Sequence, residues 1–191
     1  NADTENWYQE CDLGRSMDST AGLGDSTTYP DKYGSANMPF AYNNLLLPIE
    51  KYNIHGGISP WYRGCITHFW PSYMLEPQMT GMTMHRLTSI LDGGEIIHQN
   101  TGVLKRGDGL HELACRTVKS FCDELPNVIE KISLGQYSLK KQKSSGKLWL
   151  ASDWQPHHLN IIYNHFEDKI VDYCLDNEIY KVKKTIIRIN Q

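Results

Sequence analysis

At 191 residues and 21.9 kDa, the chain has the length of one domain, or one domain with an appendage, and can bury a core without disulfide or metal support. Apolar residues at 40% and charged residues at 21% exclude wholesale disorder and a coiled coil, and no apolar run is long enough for a bilayer-spanning helix. A net charge of −3 and a pI near 6.2 argue against a nonspecific nucleic-acid binder, which carries a basic excess.

Residues 1–44 read as a polar leader, disordered or atypical, because Asp12 to Met38 is rich in Gly, Ser, Thr, Asp and Asn and has no apolar stripe. A packed core is expected over 45–135. Tyr52 to His55 reads as a short strand entering a Gly56-Gly57 turn. Ile66 to Tyr73 reads as helical, interrupted by Pro71. Strands are predicted for Thr80 to Leu87 and, after a Gly93-Gly94 turn, for Glu95 to Gln99. Gly109 to Leu125 is the clearest helix, with Leu110, Leu113, Ala114, Val118, Phe121, Cys122 and Leu125 on one face, Asp108 as N-cap and Pro126 as its end. Residues 136–191 are expected to form a C-terminal α/β extension. There Lys140 to Gly146 reads as a solvated loop and Leu148 to Leu150 as a strand. Asp153 caps a predicted helix with Pro156 in its first turn and Leu159, Ile162 and Phe166 buried, and Lys183 to Ile189 reads as a last strand. Strands separated by helices indicate an α/β fold.

The five cysteines, Cys11, Cys65, Cys115, Cys122 and Cys174, are scattered and form no CxxC. Free thiols in a reducing cytoplasm are the expectation, and the polar, acidic stretch Asn1 to Gln9 has no secretory character. Among eight histidines, His157, His158 and His165 lack the spacing and partners of a zinc site, so no metal is expected. His85 and His98 are expected to serve packing or hydrogen bonding.

Chemistry concentrates in one stretch. On a strand, Asn53 and His55 point to the same side, and the glycines after them leave room for close approach. Asp92 on a Gly-flanked loop supplies a carboxylate, completing an amide, imidazole and acid set suited to acyl transfer. The ordered segments Asn53-Ile54-His55, Pro60-Trp61-Tyr62-Arg63-Gly64, Gly81-Met82-Thr83-Met84-His85 and Asp92-Gly93-Gly94-Glu95-Ile96-Ile97-His98-Gln99 resemble the hallmarks of the 10-formyltetrahydrofolate-dependent formyltransferases. That family includes glycinamide ribonucleotide transformylase, methionyl-tRNA formyltransferase and the sugar N-formyltransferases. The resemblance runs from about Leu45 to Gln99, and more loosely to Leu125.

The resemblance implies a Rossmann-like mixed sheet with flanking helices. It also implies an N-terminal half that is truncated or divergent here, because the 52 residues before Asn53 show no strand, glycine loop and helix. It implies that Asn53 and His55 stabilise a tetrahedral oxyanion and that Asp92 orients His55 and relays a proton. Thr88, Ser89, Ile90, Leu91 and Gly93 would lie against the folate, and Arg63 and Tyr62 against the amine substrate. The implied formyl donor is 10-formyltetrahydrofolate. An amino-sugar nucleotide is the favoured acceptor, since the acidic chain and short tail disfavour tRNA and the Gly56-Gly57-Ile58-Ser59-Pro60 loop departs from the ribonucleotide enzyme's pattern. A noncatalytic folate-binding or assembly protein is the alternative from another class. A sheet lacking its preceding strands would expose an apolar edge, so cover by the leader or a homo-oligomer is expected.

Overall fold

Residues 50–143, 146–181 and 185–189 are described by the computed structural model. The chain divides into two units between Lys51 and Tyr52, and the described strands and helices lie in the second, Tyr52–Gln191. The leader expected over 1–44 and the first residues of the expected core lie outside the described residues.

Alternation along three strands creates two faces with different jobs. Strands β1 (Tyr52–His55), β3 (Gly81–Arg86) and β4 (Ile96–Thr101) form an antiparallel sheet in the order β1-β3-β4. Met82 and Met84 of β3 pack with Phe121 and Val128, which lie on helix α2 (Leu110–Ser133). Thr83 and His85, one residue out of phase, turn to the other face. Asn53 pairs with His85, and His55 with Thr83, so the polar faces of β1 and β3 coincide. The β3–β4 register shifts between Met84 and His85, where pairing passes from His98 to Ile96.

A second sheet pairs β2 (Tyr62–Gly64) with β5 (Lys147–Trp149) in parallel. β2 carries no strand signal of its own, its three residues sitting in a loop-like Pro-x-Tyr-Arg-Gly context. Its pairing requires Gly64: φ there is +94°, and a Cβ would overlap the Trp149 carbonyl. The four-residue helix α1 (Trp70–Tyr73) carries Pro71 in its first turn, where proline does not interrupt it. Trp70 stacks on Trp149 at 4.1 Å between ring centroids, joining α1 to the second sheet.

Helix α2 runs 24 residues, through Pro126. Cys122 and Pro126 both lie on its exposed side, where water can serve the carbonyl that loses its N–H partner. Its buried stripe is Leu110, Leu113, Thr117, Phe121 and Val128, whereas the predicted Val118 and Cys122 are exposed. The expected cap is also different. Asp108 accepts from the Lys105 N–H and pairs with Arg116, while Asp168 accepts the Leu110 N–H at 2.8 Å from 58 residues away. A cap so distant in sequence leaves no local signal.

The C-terminal stretch is packed into the same unit: Ile162, Ile170, Val171 and Cys174 join Ile58, Trp70 and Leu113 in one core cluster. The helix predicted after Asp153 is instead a chain of short turns, Ala151–Asp153, Pro156–His158 and Ile161–His165. Gln155, before Pro156, is extended and breaks the run. The stripe positions still bury, Ile162 fully and Leu159 and Phe166 partly. A seven-residue helix α3 (Ile170–Asp176) follows. The described part of the predicted last strand, residues 185–189, is an irregular strap on β4. Ile187 accepts from the Gln99 backbone N–H, but its own N–H goes to the Gln99 side chain, so no regular ladder forms. No helix among the described residues is long and apolar enough to cross a membrane.

Candidate active site

The polar face of β1 and β3 is closed by the β3–β4 connection, which brings Asp92 over Asn53, His55 and His85. Asp92 is 8%, His55 7% and His85 1% exposed. The connection is tight: the Arg86 N–H donates to the Glu95 carbonyl at 2.9 Å, and Gly94 lies so close to the Arg86 carbonyl that a Cβ would overlap it. Asp92 itself has φ +47°, a left-handed conformation that turns its side chain inward at a cost in backbone strain.

Each Asp92 oxygen has two neighbours. Oδ2 accepts the Gly64 N–H at 2.9 Å and lies 3.3 Å from His55 Nδ1. Oδ1 lies 3.5 Å from Asn53 Nδ2 and 3.6 Å from His85 Nε2. The acceptors set the imidazole tautomers. His85 Nδ1 is 2.8 Å from the Arg86 carbonyl and must donate to it, which leaves Nε2 to accept from Asn53 Nδ2 at 3.3 Å. Likewise His55 Nε2 donates to the Tyr62 carbonyl at 2.9 Å, so Nδ1 is the atom that faces Asp92.

Electrostatics keep the His55–Asp92 pair unprotonated at neutral pH. Burial pushes the His55 imidazole below its ordinary value, and the neighbouring Asp92 charge and the Tyr62 carbonyl only partly offset that. Burial also works against the Asp92 charge, but the polar groups around it, the donating Gly64 N–H among them, outweigh it and hold the carboxyl below its usual range. One proton is therefore missing along the line from Nδ1 to Oδ2, and the pair can receive one.

The structure brings Asn53, His55 and Asp92 together. His85, expected to serve packing or hydrogen bonding, touches both Asn53 and Asp92, and so joins the site. Its place in the Gly-x-Thr-x-His segment and its odd-numbered phase with Asn53 are the signals that could have found it. Thr88, Ser89, Ile90 and Leu91 form an exposed turn beside Asp92, closed by the Gly93 N–H on the Ile90 carbonyl at 3.1 Å. Ile90 and Leu91 are 62% and 52% exposed, an apolar pair left uncovered beside the acid. Arg63 is half-buried, with Nη1 3.4 Å from the point a Cβ on Gly93 would occupy and its buried Nε without a hydrogen-bond partner among the described residues. The Tyr62 side chain turns away into the core, where burial and the Glu76 carboxylate raise its pKa and its hydroxyl donates to that carboxylate at 2.6 Å. What Tyr62 supplies to the trio is its carbonyl. Among the described residues no group of three or more His, Cys, Asp or Glu side chains is arranged to hold a metal.

No protein-family model matches the sequence. Among solved structures, a 4-N formyltransferase from Francisella tularensis superposes with a TM-score of 0.52 at 22% identity, over 58% of this chain and 45% of that one. The chain has a formyltransferase fold. A sugar N-formyltransferase from a Shewanella species is similar at 23% identity and a TM-score of 0.49, covering 55% of this chain and 42% of its own. The formyltransferase PseJ from Anoxybacillus kamchatkensis, solved in complex with UDP-4,6-dideoxy-4-formamido-L-AltNAc and tetrahydrofolate, is 25% identical with a TM-score of 0.48, covering 62% and 61%. The chain spans less than half the length of the first two, and a formyltransferase fold over that span is what the superposition establishes.

Proposed function

We propose that this protein transfers a formyl group from 10-formyltetrahydrofolate to a primary amine, with an amino-sugar nucleotide as the acceptor. The observation that carries the reading is the convergence of half-buried Asn53 with buried His55 and Asp92 over one face of a sheet with the formyltransferase fold. The donor fits the residues present: the exposed Ile90 and Leu91 offer apolar surface to a flat ring, and the backbone of Thr88 to Gly93 offers amides beside it. When bound, the folate supplies the activated formyl carbon.

The chain's own residues then have distinct tasks. Asn53 holds its amide N–H groups in long contacts of 3.3 and 3.5 Å, loose enough to redirect toward a developing oxyanion. His85 accepts from that amide and fixes its orientation. The His55–Asp92 pair takes up the proton that an attacking amine must lose, first as a shared proton between Nδ1 and Oδ2, and returns it to the folate nitrogen as the formyl C–N bond breaks. Arg63 is the proposed contact for an anionic acceptor. Four free cysteines among the described residues, three of them exposed, support a reducing, cytoplasmic setting. β1 stands at the edge of its sheet among the described residues, and that supports a homo-oligomer.

Incubating the full chain with 10-formyltetrahydrofolate and a panel of amines, including amino-sugar nucleotides, tests the reading. Tetrahydrofolate release that depends on the amine is expected. Folate binding without release would indicate the noncatalytic alternative instead.

A further inference from the structure

We propose that Gln142 is a positioning residue that holds the Asp92 loop in its working conformation. The inference takes its kinetic readout from the formyl-transfer reading, but its geometry is independent of it. Residues 140–146 are polar and basic, and read as a solvated loop, yet among the described residues 140–143 the Gln142 side chain turns inward. Lys140 exchanges backbone hydrogen bonds with Ile96 at 2.8 and 2.9 Å, tying the segment to the first residue of β4. From that anchor, side chains two apart share a direction. Lys141 and Lys143 are exposed, whereas Gln142 is half-buried.

Its amide nitrogen lies 2.7 Å from the Asp92 carbonyl and 2.7 Å from the Gly94 carbonyl. Both partners can only accept, so the amide orientation is fixed with nitrogen toward the loop, and both N–H groups are spent there. The two carbonyls flank Gly93 at the point where Asp92 sits at φ +47°. A strained conformation persists only when its surroundings determine it, and the two short bonds on either side of Gly93 contribute to that. The Ser59 hydroxyl reaches the same Asp92 carbonyl at 3.4 Å. Gln142 touches none of the atoms proposed to react. It acts through the placement of the Asp92 carboxylate, on which the 3.3 Å approach to His55 depends.

The residue type is specific. Methionine matches glutamine in length but donates nothing. Glutamate would set a carboxylate against two carbonyl oxygens. The test compares Gln142→Met with the wild-type full chain and with Lys141→Ala, an exposed neighbour. It measures kcat and KM for formyl transfer, and His55 imidazole titration by NMR. For Gln142→Met we expect kcat to fall at least tenfold with KM within a factor of two. The His55 midpoint should move downward as it loses the Asp92 charge, and Tm should change by no more than about 3 °C. Lys141→Ala should behave as wild type. An unchanged His55 titration in Gln142→Met overturns the proposal, as does a kcat loss matched by a collapse in Tm. If the wild-type chain transfers no formyl group, the titration still decides the role of Gln142, while the function assigned above falls separately.

Discussion

His55 Nδ1 and Asp92 Oδ2 face each other across 3.3 Å, with each side chain more than nine-tenths buried. Because the Nε2 proton of His55 is committed to the Tyr62 carbonyl, nothing but an added proton can turn that approach into a hydrogen bond. The pair is thus built to receive one, and removing the carboxylate removes the receiver. Asp92→Asn should lower kcat by about 10²- to 10⁴-fold, the usual range for general acid–base groups, with little change in far-UV circular dichroism. Single-turnover formyl transfer, with the folded state checked by thermal melting, measures both.

Acid should act on stability through the same pair. The native His55 imidazole is held below its ordinary value of 6.5, as are those of His68 and His98. Below about that pH the unfolded chain takes up protons that the native protein refuses, so stability should fall as pH drops from 7 toward 5. Asp92 adds a second loss: its contribution is present above 3.8 and disappears as pH falls through its lower native value. Denaturant midpoints at pH 7, 6 and 5 should decline in that order, and the slope should be shallower in His55→Gln.

His85→Ala should separate positioning from binding. His85 touches the Asn53 amide and Asp92 but is fully buried, so an acceptor does not reach it. A kcat loss of about tenfold or more with KM unchanged is expected. Steady-state kinetics with the amine varied at fixed folate would check it.

Exposed Ile90 and Leu91 make the opposite prediction. Serine at both positions should raise KM for the folate several-fold and change unfolding free energy by no more than ordinary surface substitutions do, about 0.5 kcal/mol. Fluorescence titration with tetrahydrofolate checks this without turnover.

Below the site, Gln99 tests the scaffold. Its amide nitrogen donates to the Ser59 carbonyl at 2.6 Å and the Thr83 hydroxyl at 3.0 Å, and its oxygen accepts the Ile187 N–H at 3.0 Å. Gln99→Met keeps the volume but strands those buried groups, and should cost about 3 kcal/mol in denaturant unfolding.

Much of this was legible in the residues, and what was not has a physical cause. β1, β3 and β4 follow from alternation and turn chemistry, and the trio follows from ordered segments whose spacing survives in the fold. The α2 stripe was misread at Val118 and Cys122 because Thr117, a polar residue, returns its hydroxyl to the Leu113 carbonyl at 2.8 Å and so can be buried. Pro126 did not stop the helix, since its flank faces water and Val128 beyond it is buried. Asp168 as the cap of α2, and Gln142 as a clamp, depend on partners distant in sequence, and no window around either residue contains them. His85 lay inside a recognised segment, yet only the pairing of β1 with β3 places it against Asn53.

Asn53, His55 and Asp92 together make the proposed formyl-transferring site. It is tested most directly by following tetrahydrofolate release from 10-formyltetrahydrofolate in the presence of an amino-sugar nucleotide, with wild type and Asn53→Ala side by side. Amine-dependent release by wild type, reduced by about 10²-fold or more in Asn53→Ala, is the predicted result. Equal rates in the two proteins, or no release with any amine in the panel, would contradict it.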